Sequence, residues 1–82
     1  MTKQELLGYL SDTDGADAIE TAAVFHCTYF TAAMALLRLS RQGLVARFQG
    51  PNTGGYWYQL TERGFARLDF LESNPTGDNY GP

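Results

Sequence analysis

The spacing of apolar residues changes at Gly43, and this change constrains the fold more than any other feature. Up to Gly43, apolar side chains recur at intervals of three and four residues, as on one face of a helix. After it, residues 44–49 and 56–60 have the composition of strands. Glycine, proline and asparagine crowd residues 50–55 between them. The sequence therefore predicts helices followed by a hairpin with a flexible tip.

Capping residues divide the part before Gly43 into three helices. Thr2 with Glu5 has the spacing of a capping box, and Asp17 with Glu20 repeats it. Thr28 is placed to cap a further helix, which the glycine at position 43 closes. The first predicted helix ends at about residue 11, and the second and third cover residues 18–25 and 29–42.

A fourth helix is predicted after Thr61. Its apolar residues fall on one side of the helix: Phe65, Leu68 and Leu71, with Phe70 near them. The pattern fades after residue 73, so residues 1–73 are predicted to form one domain and residues 74–82 a disordered tail. The predicted fold class is α+β, mostly α, with a three-helix bundle, a two-stranded hairpin and a C-terminal helix.

Composition excludes several classes of protein. Eighty-two residues are enough for a single core only, and the single Cys27 leaves no intramolecular disulfide to support it. The chain contains no apolar run long enough to cross a bilayer, and its first ten residues lack the apolar stretch of a signal peptide. The expected location is therefore the cytoplasm, without membrane contact.

The charges of the chain are segregated. The net charge is -3, yet residues 26–67 hold five arginines against Glu62 alone, for +4. Residues 1–25 carry -4 and residues 68–82 carry -3. Because arginine suits bidentate contacts with phosphate or guanine, the middle segment is the predicted site of any contact with nucleic acid.

Two stretches of the sequence resemble a known family. Residues 22–45 match it at a small residue, an apolar pair beneath a turn, a helix cap, the core positions and a closing Gly-Leu-Val: Ala22, Phe25, Cys27, Thr28, Ala32, Leu36, Leu39, Gly43, Leu44 and Val45. Residues 58–64 read Tyr-Gln-Leu-Thr-Glu-Arg-Gly. The chain thereby resembles winged helix-turn-helix domains, and the second stretch is similar to MarR-like and PadR-like transcriptional regulators.

The resemblance implies a function in DNA binding. In such domains the third helix enters the major groove and the hairpin, or wing, reaches an adjacent groove or the backbone. The outward positions of the third helix would be Tyr29, Phe30, Ala33, Met34, Leu37, Arg38 and Arg41. The implied contacts with double-stranded DNA are Tyr29, Thr31, Arg38 and Arg41 on this helix, with Arg47 and Arg63 holding phosphates near the wing. A homodimer is expected, since operators are commonly read by two-fold assemblies.

The same positions leave a second interpretation open. Phe30, Met34 and Leu37 are apolar where a DNA-reading helix usually carries polar groups, and a winged helix can also dock proteins. On the hairpin, Trp57 alternates with Tyr56, Tyr58 and Leu60, which are predicted to face inward. Trp57 is therefore expected on the outer face, half-covered by a neighbouring chain or by the last helix. The alternative function is a protein-interaction module that does not bind DNA, with Phe30, Met34, Leu37 and Trp57 at its surface.

Catalytic and metal sites are not predicted. His26 and Cys27 are adjacent, but by the resemblance both belong to the buried turn before the third helix, with Cys27 pointing into the core and no further ligand close in sequence. His26 stands where glycine is common, so an unusual backbone is expected there. The acids between positions 12 and 20 lack the pattern of a calcium loop and are attributed to capping. The expected protein is not an enzyme and has no cofactor.

Overall fold

The computed structural model describes residues 1–49 and 55–73. Four helices are present in these ranges: α1 (Lys3–Thr13), α2 (Ala18–Phe25), α3 (Tyr29–Arg41) and α4 (Glu62–Ser73). Three strands accompany them: β1 (Ala16–Asp17), β2 (Val45–Gln49) and β3 (Tyr56–Leu60). The mostly helical α+β fold is confirmed. The predicted hairpin tip, except for its last residue, and the predicted tail at residues 74–82 lie outside the described residues.

Side-chain caps start the first three helices as predicted. Thr2 and Glu5 form a complete capping box, in which the Glu5 amide donates to the Thr2 hydroxyl at 3.0 Å and the Glu5 carboxylate accepts from the Thr2 amide at 2.8 Å. The Asp17 carboxylate accepts from the amide of Glu20 at 2.8 Å and so caps α2. The Thr28 hydroxyl caps α3 by accepting from the amide of Thr31 at 3.0 Å. Each cap satisfies an amide that has no partner within its helix.

The hairpin belongs to a three-stranded antiparallel sheet with the order β1-β3-β2. β2 pairs with β3 as predicted, with Arg47 opposite Tyr58 and Phe48 opposite Trp57. β1 was not predicted, because two residues are too few to show an alternating pattern. It places Ala16 opposite Tyr58 on the other edge of β3.

The core lies where three helices meet the sheet. Its fully buried members are mostly leucines of α1, α3 and α4: Leu6, Leu7, Leu10, Leu36, Leu39 and Leu71. On α4 the prediction for Phe65 is wrong, since 52% of its surface is exposed while Leu68 is buried. The reason is Gly64, which is buried against the backbone of Leu44 and sets the rotation of the helix. Phe65 is about 100° further round and points away from the core.

The turn between α2 and α3 differs in part from the prediction. His26 has the expected unusual backbone, with φ 54° in the left-handed region, and its amide donates to the Ala22 carbonyl. It is exposed, however, and Cys27 is only half-buried and lies outside the core cluster, so the predicted burial of this pair is wrong. Phe25 fills the space beneath the turn, where its ring meets that of Tyr9 edge-on at 5.5 Å. A single residue in the left-handed region reverses the chain without needing a buried thiol.

Candidate nucleic-acid interface

α2 and α3 are joined by the short turn at residues 26–28 and are bent by 114° relative to one another. This angle is the geometry of a helix-turn-helix motif, in which the second helix stands out from the body of the domain. Within residues 1–49 and 55–73, no single helix is long and apolar enough to span a membrane. α2 and α3 together have the required length and composition, but the bend lies between them. The exposed side of α3 is thus the candidate binding surface.

One stripe of α3 faces away from the core. The buried positions of the helix are Ala32, Ala35, Leu36 and Leu39. At 100° per residue, the opposite side carries the four residues that we call the outer stripe: Phe30, Met34, Leu37 and Arg41. Phe30 is 71% exposed, whereas Met34 and Leu37 are half-buried by their neighbours. The predicted phase of the helix is therefore right for these residues. It is wrong for Ala33, which packs against the core on the flank of the helix.

Two predicted cations lie in the last turn of α3. Arg38 and Arg41 are both exposed, and neither forms an ion pair with a carboxylate in the described part of the chain. Their positive charges suit the carbonyl end of the helix dipole, which contributes about 0.3–1 kcal/mol per charge to stability. Two arginines without partners are also available to an external anion.

The N-terminal end of α3 carries hydroxyl groups. Tyr29 is exposed and lines a shallow pocket with Asp17 and Ile19 of the α2 start and with Tyr56 of β3. Thr31 is exposed, and its hydroxyl accepts a hydrogen bond from that of Thr28 at 3.0 Å while keeping its own proton to donate. The predicted donors Tyr29 and Thr31 therefore sit at the end of the helix that approaches the hairpin.

The hairpin reaches this end of α3 through Tyr56, on which Arg47 is stacked. The Arg47 guanidinium stacks over the ring of Tyr56, with 4.2 Å from Cζ to the ring centroid. Tyr56 was predicted to face inward, but 48% of its surface is exposed, because it lies at the far end of β3 beyond the helices that cover Tyr58. Tyr56 is thus a member of the surface that sequence reasoning missed. Alternation along a strand predicts the face of the sheet on which a side chain lies, but it does not predict how much of that side chain other residues bury.

The outer face of the hairpin is partly apolar. Trp57 lies there as predicted and is half-buried. The turn after α1 lies against its indole, since a Cβ at Gly15 would lie 2.5 Å from the indole Nε1. Phe48, directly opposite Trp57 on β2, is exposed and was not singled out from the sequence. The signal was available, because residues opposite each other in an antiparallel pair share one face.

Arg63 lies at the other end of α3. Its side chain is beside Gly43, where the Arg63 Cδ and Nη1 atoms would be 3.7 Å from an added Cβ, and it shares a groove on α4 with Ala66 and Phe70. The 13 residues of α3 separate this end from Tyr29 by roughly 20 Å. The structure therefore places Arg47 on Tyr56, which shares a pocket with Tyr29, while it places Arg63 near the Arg41 end and not beside the outer part of the wing.

The segment that supplies α3 and the hairpin carries positive charges only. Residues 26–61 contain no Asp or Glu, and Asp17, at the start of α2, is an acid that borders the surface beside Tyr29. Burial and the negative charge of Glu20 raise the pKa of Tyr9 above its ordinary value of 10.0. Among residues 1–49 and 55–73, no group of three His, Cys, Asp or Glu side chains is arranged to hold a metal ion.

Three helices, a hairpin packed beside them and a fourth helix define a winged helix-turn-helix domain. Among solved structures, apo wild-type MarR from E. coli matches with a TM-score of 0.79 at 22% identity, over 87% of this chain and 53% of that one. A MarR family transcription regulator matches with a TM-score of 0.78 at 27% identity, over 90% of this chain and 50% of that one. No protein-family model and no curated protein matches the sequence.

These matches confirm the resemblance to MarR-like regulators at the level of the fold. The chain spans about half the length of the solved structures it matches. The fold is shared with these solved structures, and its use in this chain depends on the side chains described above.

Proposed function

We propose that this domain binds double-stranded DNA as a small transcriptional regulator, with α3 in the major groove and the hairpin against the adjacent backbone. The observation that carries the proposal is the pair of exposed arginines, Arg38 and Arg41, without ion-pair partners among the described residues on the free side of α3. The region from residue 26 to 61 adds Arg47 and contains no acid, so its field attracts phosphate although the whole chain is acidic. The MarR-like fold supports the same use of the surface.

The residues of this surface have different roles in the proposal. Arg38 and Arg41 contact phosphates, and the hydroxyls of Tyr29 and Thr31 bond to base edges or phosphates near the helix start. Arg47 holds the backbone beside the hairpin. Arg63, at the far end of α3, contributes to the general attraction of the backbone and not to the wing.

The first experiment measures affinity as a function of salt. We would follow the anisotropy of a labelled 20-base-pair duplex of mixed sequence from 20 to 300 mM NaCl. The slope of log Kd against log salt reports the phosphates neutralised, at about 0.9 per phosphate. The double variant Arg38→Gln/Arg41→Gln should bind more weakly and lose about 1.8 from this slope. A matched control, Lys3→Gln/Arg67→Gln, removes the same charge elsewhere and should keep the slope. Equal behaviour of wild type and the α3 variant would refute the proposal.

We further propose that the regulator acts as a homodimer in the cytoplasm, without catalysis or cofactor. An exposed aromatic residue on α4, Phe65, offers an apolar contact for a second copy. A two-fold assembly would present two α3 helices to neighbouring half-sites of DNA. Sedimentation equilibrium tests this, with a dimer expected at micromolar concentration and lost in Phe65→Asp. A monomer at millimolar concentration would exclude the dimer.

A second candidate function is favoured by the exposure of Phe30, which presents a large apolar ring to solvent in the first turn of α3. In this case the outer stripe docks a protein partner, with Trp57 at the edge of a larger contact. Photoreactive benzoylphenylalanine in place of Phe30 distinguishes the two functions in cells. Cross-links to DNA support the first function, whereas cross-links to one identified protein, together with no duplex binding at 20 mM salt, support the second.

A further inference from the structure

The first turns of α3 lack the groups that usually read bases. Residues 29–37 contain no charged residue, no Asn, no Gln and no His. These positions are the ones that lie nearest the base edges when a recognition helix enters the major groove. The bidentate pairs that select guanine or adenine require Arg, Lys, Asn or Gln, so they are excluded at this end of the helix.

The hydroxyl groups that remain are weak selectors. Tyr29 and Thr31 flank the outer stripe, and the Thr31 hydroxyl already accepts a bond from Thr28 in the helix cap. A single hydroxyl can donate to or accept from any base, so it discriminates little. The middle of the surface is occupied by Phe30, Met34 and Leu37, of which the ring of Phe30 projects furthest. Selection by the first turns of α3 therefore falls to apolar contact.

The major groove offers one apolar group, the C5 methyl of thymine. Resting on the proposed DNA-binding function, we propose that Phe30, Met34 and Leu37 make this domain select thymine-rich duplexes through contact with thymine methyl groups. The neighbouring charges favour DNA over a protein as the partner of these three residues. Arg38 and Arg41 follow them along α3, and no acid lies between residues 26 and 61. The phosphate contacts supply attraction, and the methyl contacts supply the sequence preference.

The test compares duplexes that differ only in this methyl group. Alternating dA-dT and dA-dU duplexes of 20 base pairs present the same hydrogen-bonding edges, but deoxyuridine lacks the C5 methyl. At 50 mM NaCl the wild type should bind the thymine duplex more tightly, by about fourfold for one buried methyl and about fifteenfold for two. The converse change, 5-methylcytosine for cytosine in an alternating dG-dC duplex, should increase affinity by a similar factor.

Two variants assign the preference to the stripe. Phe30→Gln removes the most exposed ring and should reduce the thymine-to-uracil ratio towards one while leaving the helix folded, as checked by circular dichroism. Val24→Gln makes a similar apolar-to-polar change at an exposed residue of α2, which has no proposed contact with DNA or with a second copy, and should keep the wild-type ratio. The Phe30→Gln result also separates direct contact from an effect of the methyl on duplex stiffness, because stiffness would give the same ratio in wild type and variant.

The outcomes are distinct. Tight binding with equal affinity for thymine and uracil duplexes overturns the inference and leaves the DNA-binding proposal standing. A preference that survives in Phe30→Gln overturns the assignment to the outer stripe. Absence of binding to every duplex at 20 mM salt overturns the proposed function itself and, with it, the inference, and a protein cross-linked at position 30 would then identify the occupant of the stripe.

Discussion

The contact between α4 and the start of β2 leaves no room for a side chain at Gly64. A methyl group there would overlap the carbonyl oxygen of Leu44 and lie 3.0 Å from its carbonyl carbon and 3.1 Å from Cδ2 of Leu60. Gly64→Ala must therefore push α4 away from the sheet. The same carbonyl accepts a hydrogen bond from the Thr61 amide at 3.1 Å, and the Thr61 hydroxyl bridges the Gly43 carbonyl and the Gly64 amide at 2.7 and 3.0 Å.

The expected loss follows from these contacts. Overpacking costs about 2 kcal/mol, and two strained hydrogen bonds around Thr61 cost about 1 kcal/mol each. The higher helix propensity of alanine offsets about 1 kcal/mol, which leaves the Gly64→Ala domain less stable by about 3 kcal/mol. This is a large share of the 5–15 kcal/mol typical of a whole domain.

Urea denaturation followed at 222 nm measures the change, and a second glycine supplies the control. Gly8 in α1 has no atom within 4 Å of the position of its Cβ, so Gly8→Ala should gain up to about 1 kcal/mol from propensity alone. The two variants make the same chemical change in two helices and should move the midpoint in opposite directions. A Gly64→Ala domain as stable as the wild type would refute the packing described for α4.

Three further predictions concern α3, α1 and α2. Leu36→Ala should lower the free energy of unfolding by about 2–5 kcal/mol in the same assay, because Leu36 is fully buried. Leu37→Ala should lower it clearly less, because Leu37 is half-buried, and equal losses would contradict the orientation of α3. The raised pKa of Tyr9 means that the folded state holds the phenol proton to a higher pH than the unfolded state does. The resulting contribution to the free energy of unfolding is complete below pH 10 and is lost as pH rises through the pKa of the folded state. Tyr9→Phe has no such proton, so its stability should fall less at alkaline pH. Asp17→Ala removes the cap of α2 and should lower the free energy of unfolding by about 1 kcal/mol, whereas Asp12→Ala, which has no cap to lose, should leave the urea midpoint within error.

The elements of the fold were predictable where the chain carries local signals. The bounds of α2 and β3 match the prediction residue for residue, because Asp17 and Thr28 mark helix starts and aromatic residues mark the strand. α3 ends one residue early, and α1 runs two residues further, to Thr13, where Asp14 ends it with φ 57° in the left-handed region. β1 could not be predicted, since its pairing with β3 depends on how α1 returns the chain to the sheet.

The candidate site was predictable only in part. The free side of α3 follows from helical periodicity, and with it the positions of Phe30 and Arg41. The location of Arg63 depends on the close packing of Gly64 on α4 against the backbone of Leu44. This is a tertiary contact, and no local sequence pattern predicts it. The exposure of Tyr56 depends likewise on where the helices stop covering the hairpin. Such features arise from packing between distant segments, which sequence periodicity does not record.

The central claim is that α3 and the hairpin form the DNA-binding surface. Amide spectra of the isotopically labelled 82-residue chain, recorded during titration with a mixed-sequence duplex, test it residue by residue. We expect the changes in amide chemical shift to concentrate in residues 28–41 and in β2 and β3, with little change along α1. Shifts that instead concentrate on α1 and the outer side of α4, or spectra that do not change at 20 mM salt, would contradict it.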